Sequence, residues 1–217
     1  EALEHDAGFA PAYAALADTW MLLSLYGNVT PLKATQRAQP MIDKALELDP
    51  DSAEAFAALG LARWQIGQMD AAESALRRAV ELNRNYIPAQ LWLAGVLGTL
   101  GRYPEEHSIL EQAIALDPLN ELLVVNYAEN ERITGKVEES LQRLRNLVQL
   151  RPDSTTLLRA LAEQELAHGA LVEGYKLVQR SYSLEPDNPA DLAALAHAWL
   201  QLGQLDKAEE LLSVGLE

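Results

Sequence analysis

The sequence predicts an all-α protein built from repeated pairs of helices, and three observations lead to this fold class. Ala, Leu and other apolar types make up 49% of the 217 residues, whereas aromatic residues make up only 6%, a composition that favours helices over strands. Apolar side chains recur at helical spacing along most of the chain. Glycines recur every 34 residues, at Gly67, Gly101, Gly135, Gly169 and Gly203.

The 34-residue period extends beyond the glycines. The eight residues QIGQMDAA at 65–72 return as QLGQLDKA at 201–208, four periods later. Equal steps of this length are the sequence signature of a helical repeat array. The same interval separates Leu82, Leu116, Leu150 and Leu184, and it also separates Pro118, Pro152 and Pro186.

Residues 53–84 illustrate how one period is expected to fold. Two sets of apolar residues with helical spacing flank Gly67, where the chain can turn through a left-handed conformation at little cost. Small residues such as Gly60 let neighbouring helix axes approach closely. Asp-Pro pairs at 49–50 and 117–118 end one unit before the next begins. The first set is Phe56, Leu59, Ala62 and Ile66, and the second is Ala72, Leu76, Ala79, Val80 and Leu82.

This pattern resembles the tetratricopeptide repeat, a 34-residue helix–turn–helix unit, over almost the whole of the chain. The resemblance implies a right-handed α-solenoid of about six units, with residues 1–217 forming a single array. The chain departs from the repeat consensus at Arg84, Glu106, Ser140 and Leu147. The regular units are 53–84, 87–118, 121–152, 155–186 and 189–217, with matching pairs at Leu59 and Gly60, Leu93 and Ala94, Tyr127 and Ala128, Leu161 and Ala162, and Leu195 and Ala196.

The two ends of the array differ from the regular units. Residues 10–50 form a unit expanded by nine residues, in which Thr30 and Pro31 are suited to begin the second helix and Pro40 is expected to bend it. Residues 1–9 look like the tail of a preceding repeat. The last helix has apolar residues with no helix after them, so we expect cut ends or an end face that packs on another domain or copy. These residues are Leu211, Leu212, Val214 and Leu216.

Charge and residue types exclude several classes of function. The net charge of −15 repels phosphate backbones and anionic lipids, so we expect no direct nucleic-acid partner. No apolar run is long enough for membrane insertion. The chain has no cysteine, and its four histidines show no metal-ligand spacing. Because no nucleophile–base set is present either, we predict a protein that is not an enzyme and that has no cofactor or metal site.

The resemblance to tetratricopeptide repeats places the candidate site on the first helix of each unit, which lines the concave groove of such arrays. A groove of this kind suits an extended or helical peptide. Within it, Trp64 is either an anchor for the partner or a filler between units. Gly98 marks either close helix packing or the close approach of a ligand. The predicted groove residues are Asp18, Glu54, Leu61, Trp64, Leu91, Gly95, Gly98, Glu129, Arg132, Arg159, Glu163 and His197.

One subclass of the family clamps a C-terminal carboxylate with Lys and Asn at fixed groove positions. Those positions hold other residue types here, so a receptor of that subclass is disfavoured. The residues at these positions are Ala14, Asp18, Ala57 and Leu61.

The predicted function is a protein–protein interaction module that binds a protein or peptide segment, as the sensor or recruitment part of a larger signalling protein. Residues 9–27 and 45–60 resemble the repeat regions of bacterial multidomain regulators, which carry winged-helix or nucleotide-cyclase domains upstream. The alternative is a homo-oligomeric or secretion-linked assembly scaffold, with self-association through an end face. A cytoplasmic location is favoured, and a periplasmic one applies if the chain is attached to a membrane-spanning regulator.

Overall fold

The computed structural model describes residues 6–25, 27, 29–186 and 188–214, with side chains described as far as Leu211. This part of the chain forms twelve α-helices and contains no strand. The predicted fold class, an all-α solenoid of helix pairs, is confirmed. The helices are α1 (Ala10–Leu25), α2 (Pro31–Leu48), α3 (Ala53–Gln65), α4 (Met69–Leu82), α5 (Ile87–Thr99), α6 (Tyr103–Leu116), α7 (Glu121–Ile133), α8 (Val137–Leu150), α9 (Thr155–Ala167), α10 (Leu171–Leu184), α11 (Pro189–Gln201) and α12 (Leu205–Val214).

The periodic glycines end the first helix of each pair. Gly67 has a φ of 79°, and the N–H of the following Gln68 donates to the carbonyl of Arg63 at 2.9 Å. This bond belongs to the Schellman motif, in which a left-handed glycine closes the last turn of a helix. The left-handed turn predicted at these glycines is therefore confirmed. The other glycines with positive φ are Gly27, Gly101, Gly135, Gly169 and Gly203.

Side-chain caps fix the start of most first helices. Ser52 Oγ accepts a hydrogen bond from the Ala55 N–H at 3.2 Å, which satisfies a backbone donor that the first turn leaves free. Residues with the same role stand at 34-residue intervals, and only Tyr86 interrupts the series with a side chain that does not cap. The remaining members are Asn120, Ser154 and Asn188.

Longer helices account for most of the expansion in the first pair. Helix α1 has 16 residues against 13 in α3, and α2 has 18 against 14 in α4. Helix α2 begins at Pro31 with Thr30 in the N-cap position, as predicted, although the threonine side chain makes no capping hydrogen bond. The helix continues through Pro40, and the bend expected there stays a prediction. Residues 1–5 and Leu216, and the side chains of Leu212 and Val214, lie outside the described part.

The chain divides into two compact units, which we call unit 1 (up to Asp117) and unit 2 (from Pro118). In unit 1 the two helices of each pair pack on each other, the first pair packs on the second, and the second packs on the third. Close packing depends on small residues, because a Cβ on Gly60 would lie 2.4 Å from Cγ of the fully buried Leu76. Two larger apolar clusters lie around Ile42 and around Leu97, and a smaller one joins Ala14, Ala45 and Ala55.

Unit 2 repeats this packing and adds buried ion pairs. Its apolar clusters centre on Leu144 and Val178. Glu131 on α7 is buried and accepts from Arg143 of α8 at 2.8 Å. One period later, buried Glu165 on α9 accepts from Arg145 of α8 at 2.7 Å. The continuity of one array through residues 1–217 stays a prediction.

Candidate functional site

The first helices of successive pairs contact one another within each unit. Helices α1, α3 and α5 form one row in unit 1, and α7, α9 and α11 form another in unit 2. We call the exposed side of each row the first-helix face. All twelve predicted groove residues lie on these six helices, because the 34-residue period returns the same helical position to the same side of each row.

In unit 1 the structure assigns several predicted residues to packing. Leu61 is fully buried in the core cluster around Ile42, so its side chain lies in the interior and does not line a groove. Trp64 is half-buried against the cluster around Ile42 and the cluster around Leu97. Its ring lies directly on α5, because a Cβ on Gly95 would be 2.3 Å from the ring atom Cη2. Trp64 therefore fills the gap between two repeats.

Gly98 has a different neighbour. A Cβ at this position would lie 2.9 Å from Oε1 of Glu106, a buried carboxylate on α6. The glycine therefore makes room for an acidic side chain of its own helix pair. Leu91 is half-buried on the same helix as Gly98. This contact fits the first interpretation of Gly98, close packing within its helix pair, and the approach of a ligand there stays a prediction.

The first-helix face of unit 1 is acidic. Asp18 on α1 is half-buried, and burial raises the pKa of its carboxyl above the ordinary value. Glu54 is exposed in the first turn of α3. Burial, together with the negative charges of Asp18 and Glu54, raises the pKa of Tyr86 to about 12. These three residues therefore lie within electrostatic reach of one another.

In unit 2 the charged residues of α7 are already paired. Arg132 donates to both carboxylate oxygens of Glu129, at 2.6 and 2.8 Å. This hydrogen bonding raises the pKa of Arg132, burial opposes the rise, and the charges of Glu129 and Glu163 add to it. A two-point contact of this kind fixes the guanidinium in place. Arg132 is therefore committed to its own helix.

A pocket of about 510 Å³ lies between α9 and α11, and we call it the α9–α11 pocket. Three of the predicted groove residues line it, and its floor is apolar because Leu166 and Val178 are buried beneath it. A volume in this range accommodates a ligand side chain or a small molecule. The lining residues are Arg159, Glu163, Leu166, Ala167, Val178, Ala190, Ala193, Ala194, His197 and Gln201.

A buried carboxylate neutralises the arginine at the edge of this pocket. Arg159 Nη1 donates to Oδ2 of Asp191 at 2.5 Å. Asp191 is fully buried, and its other oxygen accepts a short hydrogen bond from the hydroxyl of Ser181. A buried acid satisfied by two donors holds α9, α10 and α11 together. Arg159 is thus a structural cation as well as a pocket residue.

Glu163 and His197 occupy the exposed walls of the pocket. Glu163 forms no ion pair within 4 Å among the residues that the structure describes. His197 Nε2 lies 2.7 Å from the amide nitrogen of Gln201, one turn further along α11. Since the amide nitrogen can only donate, the ring nitrogen is the acceptor in this contact.

Sequence reasoning missed the feature that creates the pocket. Helix α11 presents three alanines to it, where α5 and α7 carry larger side chains at the same repeat positions. Alanine at these positions does not by itself predict a pocket, because α3 carries Ala57 and Ala58 at two of them and both are buried. The alanines are Ala190, Ala193 and Ala194, and their counterparts are Pro88, Leu91 and Trp92 on α5 and Leu122, Val125 and Asn126 on α7.

The described residues offer neither a metal site nor a membrane span. Among them, no group of three or more His, Asp or Glu side chains is arranged to hold a metal ion. No helix in the same part of the chain is both long and apolar enough to cross a bilayer.

The helix-pair fold and its first-helix faces define the class of protein as a helical-repeat module for protein–protein interaction. The sequence then shows the family. Models described as tetratricopeptide repeat match residues 35–87, 58–121 and 165–217, which together are more than half of the chain. The chain belongs to the tetratricopeptide repeat family, whose members are generally scaffolds without enzymatic activity.

Solved structures agree on the fold. A repeat protein of Thermus thermophilus is similar with a TM-score of 0.72 and 19% identity, over 88% of this chain and 99% of that one. PilW, described as a type IV pilus biogenesis factor, is similar with a TM-score of 0.72 and 18% identity, over 91% of this chain and 90% of that one. YrrB, described as having an unusual peptide-binding site, is similar with a TM-score of 0.57 and 19% identity, over 89% of this chain and 95% of that one. A search of curated proteins gave no match.

Proposed function

We propose that this chain binds an extended peptide segment of a partner protein on its first-helix face, with the α9–α11 pocket as the principal contact. The observation that carries the proposal is the pocket itself. It has an apolar floor, polar side chains on its walls, and a position on the row of helices that the repeat family uses for recognition. Peptide-binding grooves combine these features.

The proposal changes the ranking of the predicted anchor residues. Trp64 packs between two repeats, so its removal is expected to perturb the fold of unit 1 as much as any binding. Arg159 is tied to a buried acid. The alanines of α11 neither pack between two repeats nor pair with a buried acid. Substitutions at these alanines therefore test binding most cleanly.

Ala193→Leu is the direct test. Leu91 holds the same repeat position on α5, so leucine is compatible with this place in a first helix. Peptides selected from a phage-displayed random library against the intact chain should bind Ala193→Leu more weakly by about tenfold or more, measured by fluorescence polarisation. Filling the pocket removes the space that the peptide side chain needs.

Ala115→Leu is the matched control, because Ala115 is exposed on α6, outside the pocket. This variant should bind as the wild type does. Failure to select any peptide would contradict the proposed function. Selected peptides that bind both variants as well as the wild type would contradict the place assigned to the site.

We further propose that binding serves recruitment or sensing within a larger signalling protein. The support is the resemblance of residues 9–27 and 45–60 to the repeat regions of bacterial regulators. Sequencing the gene upstream of this segment tests it. A winged-helix or cyclase domain there supports the signalling role, and its absence contradicts it.

One observation favours an assembly scaffold as a second candidate. The described part of the first helix pair and the residue before it expose five large apolar side chains: Phe9, Leu16, Leu25, Leu32 and Leu48. Exposed apolar side chains are common at sites of self-association. Light scattering over a range of concentrations tests this function, and a chain that stays monomeric at the highest concentration contradicts it.

A further inference from the structure

We infer that the α9–α11 pocket selects a basic side chain, so that the peptide it binds presents a lysine or arginine there. The inference rests on the proposed function and specifies its ligand. Glu163 would meet the cation, and the apolar floor would receive the aliphatic stem. Both the charges of the pocket and its shape support this selection.

The charges leave one carboxylate without compensation. Among the charged groups lining the pocket, Arg159 is neutralised by Asp191 at 2.5 Å, and Glu163 has no ion-pair partner among the described residues. Arg132 of α7, which interacts electrostatically with Glu163, is held by both oxygens of Glu129. Neither arginine is available to bind an anionic ligand.

The surroundings add to this preference. His197 on the exposed wall accepts a hydrogen bond from Gln201, so this ring nitrogen is already occupied. The whole chain carries a net charge of −15. A cationic ligand is therefore attracted at long range and at contact, whereas an acidic segment is repelled at both.

The shape of the pocket matches the shape of a basic side chain. Lysine and arginine have an aliphatic stem that packs on apolar surface and a charged head that stays near water. Here the buried Leu166 and the alanines of α11 form the apolar part, while Glu163 lies on the exposed wall. A purely apolar side chain would fill the floor but leave the carboxylate unpaired.

The test uses peptides selected on the intact wild-type chain from a random phage library, each then synthesised with its basic residue and with norleucine in its place. Norleucine keeps the stem and removes the charge. We expect selected peptides to share a Lys or Arg next to an apolar residue. Replacement by norleucine should weaken binding about three- to fivefold, the size of a partly solvated ion pair.

A charge reversal tests whether Glu163 is the acid that selects the basic side chain. Glu163→Lys should weaken the binding of the basic peptides by about tenfold. In this variant, replacing the basic residue of the peptide by norleucine should cause no further loss of affinity. Glu139→Lys is the matched control, since Glu139 is an exposed glutamate on α8, outside this pocket. It changes the net charge equally and should leave the norleucine effect intact.

The outcomes separate the inference from the proposed function. Peptides that are sensitive to Ala193→Leu but carry no basic residue would overturn the inference and leave the proposed function standing. Equal effects of Glu163→Lys and Glu139→Lys would also overturn it, because they would reduce the preference to net charge. If no peptide is selected, the proposed function fails, and the inference fails with it.

Discussion

At the scale of single residues, glycines have two separate functions in this chain. Gly67 and its periodic counterparts adopt positive φ and end helices. Gly95 and Gly98 lie inside α5 and make room for side chains, an indole ring in one case and a carboxylate in the other. The first function depends on the backbone conformation of the glycine, and the second depends on the side chain that lies against it. Substitutions therefore have different consequences at the two kinds of position.

Alanine at Gly95 and at Gly98 should change stability by different amounts although both glycines lie in the same helix. Gly95→Ala places a methyl group against the rigid ring of Trp64, and we expect a loss of about 1–3 kcal/mol from overpacking. Gly98→Ala meets the end of a flexible side chain. Its gain in helix propensity should offset the displacement, leaving a change within about 1 kcal/mol. Urea unfolding measures both.

Trp64→Leu provides the control for this pair. In the Gly95→Ala background it should restore part of the lost stability, because the clash disappears, so the double variant should be less destabilised than the sum of the single variants. Additive losses would show that the ring is not what limits Gly95.

At the scale of elements, unit 2 is held together by buried acids that bridge helices. Glu131 and Glu165 occupy the same repeat position and pair with Arg143 and Arg145 of α8. Asp191 joins α11 to Arg159 of α9 and to Ser181 of α10. Because each carboxylate is buried, removing either member of a pair leaves a polar group without its partner.

We expect Asp191→Ala to destabilise the protein by about 3 kcal/mol, near the lower end of the range for breaking a buried ion pair, since Arg159 keeps some access to water. The alanine also leaves the buried hydroxyl of Ser181 with a weaker acceptor, the carbonyl of Thr155 at 3.4 Å. Thermal and urea unfolding followed by circular dichroism measure the loss.

Glu173→Gln is the comparison for Asp191→Ala. Glu173 pairs with Lys176 on the surface of α10, and both side chains are more than 60% exposed. Its substitution should change stability by about 0.5 kcal/mol or less. Comparable losses in the two variants would mean that the buried acid is not a structural link.

At the scale of the whole molecule, charge is the dominant property. The chain has 32 acidic and 17 basic residues, and many of the arginines already form ion pairs. The remaining carboxylates repel one another over distances that dissolved salt screens. An acidic surface of this kind keeps the chain away from anionic partners and favours association with basic ones.

Sodium chloride should therefore stabilise this protein. Raising its concentration from about 0.01 M to about 0.15 M shortens the Debye length from about 30 Å to about 8 Å, and we expect the Tm to rise by a few degrees. A variant with four exposed glutamates replaced by glutamine should show a smaller rise. The four are Glu138, Glu139, Glu209 and Glu210. A Tm that falls with salt would show that ion pairs outweigh the repulsion.

The repeat could be derived from the sequence alone. The 34-residue spacing of Gly67 and its counterparts reflects the backbone, because a left-handed turn favours glycine wherever it occurs, and the helix pairs follow from apolar spacing. Local chemistry was enough for the turns and the helix pairs, since each depends on residues close together in the chain. The candidate helix faces came instead from the resemblance to tetratricopeptide repeats.

Tertiary packing, by contrast, determines which of the predicted residues are available to a partner. Leu61 and Glu163 occupy the same repeat position, yet one is buried in the core and the other lines a pocket. The difference arises from neighbours on adjacent helices: Arg159 meets Asp191 across 32 residues, and Ala193 leaves space where Leu91 fills it. Burial and ion pairing arise only when helices pack together, so the residue pattern of a single helix does not reveal them.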